Sequence, residues 1–196
     1  MQASFFKRFG AYFLDVMIVT LIASIVAGGF TSKKYEEAFN KAQELEIKYL
    51  EQEITFKEYF KQSSPIYYDM EKSSIVVSII TLASSIAYFI VFQYLNKGQT
   101  IGKKLLKIRV QENGEEPSLK AMIIRTIIVD SILSATLGII LLYILNKKTY
   151  YLGYNIVSII ELIFVFITAM FILYKKDKRG LHDIMAHTEV IDERGN

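Results

Sequence analysis

The sequence predicts an all-α membrane protein: four transmembrane helices, an amphipathic helix outside the membrane, and a small two-stranded element on the opposite side. Three observations carry this reading. Hydrophobic residues make up 52% of the 196 positions, mean hydropathy is +0.29 and there are only two prolines, which is too apolar for an ordinary soluble domain of this size. Four apolar runs, at about 9–30, 75–94, 121–145 and 153–174, each approach the ~20 residues needed to cross ~30 Å of hydrocarbon. Basic residues crowd against the membrane edges of residues 1–8, 95–120 and 175–196, whereas the lysines of the 33–74 loop are interleaved with nine acids.

The first run carries Lys7 and Arg8 at its start and Asp15 about two turns inside. Translocon scales put a central Asp at roughly +2.5 to +3.5 kcal/mol, so Asp15 is expected to face protein, water or a partner charge rather than lipid. Arg8 shares its helical face but lies ~10 Å away along the axis, so a third group is expected to complete the arrangement. The run exceeds the ~7 to 15 residues of a signal-peptide core and reads as an anchor that is not cleaved.

Between the first two runs, Lys33 to Phe60 reads as one helix outside the membrane, because Tyr35, Phe39, Ala42, Leu45 and Tyr49 recur at helical spacing. Pro65 is expected to end it, with residues 63–68 forming a turn. Such an aromatic stripe suits docking on the bundle, lying at the membrane interface, or binding another protein. In the second run Ser74, Ser78, Thr81, Ser85 and Tyr88 share one face, which should point into the bundle.

The segment 96–110 invites a phosphate-loop reading that its spacing rejects. Three residues rather than four separate Gly98 from Gly102, and Lys104 stands where that motif needs Ser or Thr. Beyond it, Leu106, Ile108 and Val110 alternate with Lys107 and Arg109, as a short strand does. The third run contains Arg125 and Asp130, and the fourth contains Glu161. Counted from the basic ends, Asp15, Asp130 and Glu161 lie roughly 8, 14 and 20 Å deep. Two readings stand: a graded cation or proton path, or acids that merely pair with Arg8 or Arg125 and fix helix register.

The tail is basic at the membrane edge, and Thr188 to Ile191 alternates like a strand. Pairing with Leu106 to Val110 would carry Asp183 to the membrane face beside Arg8, making Arg8 the partner of two aspartates; capping a short tail helix is the alternative for Asp183. Cysteine is absent, so thiolate chemistry is excluded, and His182 and His187 read as solvent-facing rather than metal-ligating. No cofactor, metal site or catalytic constellation emerges. The net charge of +3 follows from membrane topology and gives no reason to expect nucleic acid.

Arg8 and Asp15 in the first run, Gly98, Thr100, Gly102, Lys103 and Arg109 in the connecting segment, and Gly180-Leu181-His182-Asp183 with Thr188 in the tail together resemble the RDD family of bacterial membrane proteins. That family is named for one Arg and two Asp, which here are Arg8, Asp15 and Asp183. The resemblance spans most of the chain as one domain; it leaves out the long loop, and the fourth run goes beyond the family's minimal pattern. It implies a multi-pass protein of the bacterial cell membrane with both termini cytoplasmic, a proposed transport role and no catalytic residues. Two functions stay open: transport of a small cation or proton-coupled solute, eased by a homo-oligomer, or non-enzymatic regulation of another membrane protein.

Overall fold

The computed structural model describes residues 1–30, 32–129 and 131–195; Asp130, one of the membrane acids expected above, lies outside the described residues. Ser4 starts α1 (Phe5–Ala27) four residues earlier than hydropathy alone suggests, by accepting from the Lys7 N–H. α2 (Lys33–Leu50) and α3 (Phe56–Ser73) follow, then α4 (Ile75–Leu95), α5 (Ile101–Leu105), β1 (Ile108–Glu112), α6 (Leu119–Val129), α7 (Ile132–Ile144), α8 (Tyr150–Tyr174), α9 (Leu181–Met185) and β2 (Thr188–Asp192).

Among the described residues α1, α4 and α8 are long and apolar enough to cross a membrane. α6 and α7 supply a fourth span if taken as one, but they meet at 67°. Ser131, at the break, has φ +55°, which leaves α-helical space and turns the chain. The outward faces of these helices carry exposed Phe13, Leu21, Ile144 and Phe166, as lipid-facing surfaces do.

The loop between the first two spans differs from expectation. It is two helices, not one, because Gln52 turns at φ 62° and Thr55 opens α3 with a capping box closed by Glu58. The α2 stripe packs on α3, with Tyr49 against Tyr59 at 4.9 Å between ring centroids. Pro65 sits inside α3 rather than ending it. Tertiary contacts on both sides of the proline hold the helix to the bundle. The Ser64 hydroxyl donates to the Lys147 carbonyl at 2.8 Å, Tyr67 stacks on Tyr151 at 4.8 Å, and Lys147 pairs with Asp69.

At the opposite end β1 and β2 pair antiparallel, with Val110 opposite Val190. The expected pairing is present, but β1 is shifted two residues toward the C-terminus of the predicted strand. Gln2 bridges Ile191, and the Ala3 N–H donates to the Val190 carbonyl at 2.8 Å, so the first residues run along β2. Ala3, Ala11, Ile90, Ile108, Val110, Met122 and Val190 form one core under the bundle, joining sheet to spans.

Candidate functional site

Two buried aspartates organise the sheet end of the molecule, each by collecting donors from distant segments. Asp15, on the inward face of α1, is fully buried. Its Oδ1 accepts from the Tyr88 hydroxyl at 2.6 Å and the Gly102 N–H at 2.7 Å, and its Oδ2 accepts from the Thr100 hydroxyl. α4 brings Tyr88 into place where it widens to π-type winding over Ala87–Phe92, a deviation that recurs at functional positions. Thr100 caps α5 by accepting from the Lys103 N–H, and the Ile101 N–H donates to the Tyr88 oxygen. A Cβ on Gly102 would stand 2.3 Å from the Ala11 carbonyl oxygen and 2.8 Å from Asp15 Oδ1, so only glycine lets this loop reach α1. The anion cradled by this phosphate-loop look-alike is therefore a side chain of the chain itself.

Asp183, also fully buried, lies 175 residues from the arginine that binds it. Arg8 Nη1 donates to Oδ2 at 2.7 Å, and Arg125 Nη1 donates to Oδ1. The Gly180 N–H and the Thr188 hydroxyl complete the shell at 3.1 and 3.3 Å. Arg8 also donates to the carbonyls of Ala3 and Val190, which ties α1 to the sheet. Burial opposes the charge on Asp183, but the adjoining His182, Arg125 and Arg8 outweigh it and hold the carboxyl well below the ordinary carboxylate range. Burial pushes the His182 imidazole down, against the pull of Asp183. His182 is thus neutral, with Nε2 3.3 Å from Asp183 Oδ1.

The expected sharing is reversed. Asp183 is the common partner of two arginines, Arg8 and Arg125, while the printed partners of Asp15 are a tyrosine, a threonine and a backbone N–H. His182 is buried rather than solvent-facing. Arg109 lies outside both clusters, donating to Glu193 and Gln99 at the sheet edge, and Gly98 turns at φ +85° beneath β1. Tyr88 was readable only as the end of a polar stripe, and nothing in the sequence singled out Arg125 as the second clamp on Asp183.

Across residues 2–187 the chain matches the family model described as RDD family. The chain belongs to the RDD family. No curated protein and no solved structure gives a significant match. In this RDD protein the name-giving trio therefore forms two separate structures, one around Asp15 and one around Asp183, ~10 Å apart along α1.

Beside both lies a cavity of about 510 Å³ between α1 and α8, within the range of small-molecule sites. Arg8, Arg125, Lys103 and His182 line its sheet end, and Glu161 lines it midway along α8. Phe9 and Leu162 line it too and are 57% and 67% exposed, so the cavity opens sideways between the two helices toward lipid. Among the described residues Glu161 has no hydrogen-bond or ion-pair partner, and no three acidic or histidine side chains converge as metal ligands.

Proposed function

We propose that this RDD protein moves a small cation or a proton-coupled solute across the bacterial cell membrane, with the sheet end and both termini on the cytoplasmic side. The observation that carries the reading is Glu161, a mid-span carboxylate without a partner on the wall of a ligand-sized cavity. An ionisable group at that depth is costly unless it handles a charge. Asp15 and Asp183 serve this reading as ties: their lone pairs are already taken, and they hold α1, α5 and α9 as the cavity's frame. The cytoplasmic assignment is supported by the basic residues crowded at that end. No bond-making chemistry belongs to the proposal.

Proteoliposomes enclosing a pH-sensitive dye test it under imposed sodium or potassium gradients. Wild type should move protons, and Glu161→Gln should fall to the empty-vesicle rate while eluting as folded protein. Wild-type flux in Glu161→Gln overturns the assignment. Absence of flux from wild type under every gradient favours the other function, binding of a membrane-protein partner, for which the hairpin tip with exposed Leu50 and Phe56 is the surface available.

A further inference from the structure

We propose that the sheet end of the α1–α8 cavity binds the phosphate monoester head of a lipid. The inference rests on the cavity being a ligand site, as above, but not on transport.

Two buried polar atoms on the cavity's lining residues have no partner: Thr168 Oγ1 and His182 Nδ1. Both residues are more than nine-tenths buried, and orphaned polar atoms at such depth call for an occupant. They belong to one spot, since a Cβ on Gly180 would lie 2.9 Å from the Thr168 methyl and 3.0 Å from His182 Nδ1. His182 is neutral and directs Nε2 to Asp183, which makes Nδ1 an acceptor that needs a donor. Arg125 spends Nη1 on Asp183 and Thr188, and its Nε and Nη2 have no acceptor among the described residues. The spot therefore offers two guanidinium donors, one hydroxyl and one bare acceptor.

Few head groups answer that set. A carboxylate or a sulfate ester only accepts, and a choline head neither donates nor satisfies arginine. A singly protonated phosphate monoester does both: its anionic oxygens suit the Arg125 fork, and its P–OH can donate to His182 Nδ1. Its second pKa near 6 keeps that proton on about half the molecules at pH 6. Phe5, Phe9, Val165 and Ile172 supply an apolar wall for the chain, and the sideways opening gives entry from the bilayer.

Native mass spectrometry of the full chain in detergent at pH 6 compares oleoyl lysophosphatidic acid with its methyl phosphodiester, which keeps the charge and chain but lacks the P–OH. The monoester should bind at least tenfold more tightly. Thr168→Val should cut that selectivity to about twofold, and Leu162→Trp, which fills the opening from an exposed position, should weaken both lipids at least tenfold. Equal binding of the two lipids by wild type overturns the proposal whatever the variants do. So does full selectivity in Thr168→Val, or displacement of the lipid by inorganic phosphate at the lipid's own concentration. Proton flux without this selectivity removes only this inference; selectivity without flux removes only transport.

Discussion

Gly102→Ala tests the Asp15 arrangement at its tightest point. The new methyl would stand 2.3 Å from the Ala11 carbonyl oxygen and 2.8 Å from Asp15 Oδ1, distances real Cβ atoms do not adopt. Both obstacles belong to α1, so the five-residue α5 must retreat. Overpacking of this kind costs about 1–3 kcal/mol. Retreat also lengthens the 2.7 Å bond from Gly102 N–H to Asp15, and a hydrogen bond to a carboxylate contributes about 1.5–3 kcal/mol. The sum, about 3–6 kcal/mol, is a large share of the 5–15 kcal/mol typical of a whole domain. At about 2–4 °C per kcal/mol for a chain of this size, the midpoint of thermal unfolding in detergent should drop by about 6 °C or more. Gly29→Ala is the control, because a Cβ there meets nothing within 4 Å and its backbone is unstrained. A midpoint for Gly102→Ala within 2 °C of Gly29→Ala would refute the close docking of α5 on α1.

Two further outcomes follow from the Asp183 cluster. Asp183→Asn leaves two buried guanidinium groups without a counter-charge and should destabilise by about 3–5 kcal/mol, read as a lowered denaturation midpoint; adding Arg8→Gln should cost little more, since both act on one network. The second outcome concerns pH. His182 has a folded pKa below its unfolded one, so its contribution is complete above the unfolded value near 6.5 and is lost as pH falls from there through the folded value. Thermal stability should therefore decline below about pH 6.5, and His182→Gln, which keeps a donor toward Asp183, should flatten that decline; an unchanged slope in the variant contradicts a buried neutral imidazole.

Much of the membrane architecture is legible because hydropathy reports a solvent, and solvent choice needs no knowledge of partners. The two strands are legible for a similar reason: alternation in Leu106–Val110 and Thr188–Ile191 marks half-buried backbone that must pair with something. The Arg8–Asp183 contact follows once those strands are joined. What pattern reading misses lies in tertiary detail. The helix break before α3 was written in Thr55 and Glu58, a local capping signal masked by the long apolar stripe that seems to run through it. Pro65 misleads because contacts to Lys147 and Tyr151 override its preference. The partners of Asp15 come from 73 to 87 residues away, and no periodicity within α1 encodes them.

The separation between Arg8 and Asp183 gives synthesis of this protein an order. Ribosomes adding roughly 5–20 residues per second need roughly 9 to 35 s to deliver the carboxylate after the guanidinium has emerged. Asp15 meets Tyr88 and Thr100 after fewer than half as many residues, so the first tie closes on a half-made bundle and the second closes only with the tail. Throughout that interval two arginines stand at the membrane edge without the acid that neutralises them. Closure of Asp183 onto both is thus a completion mark for the polypeptide, and a chain stalled before the last span would display to the cell's proteases the uncompensated charge that the finished molecule hides.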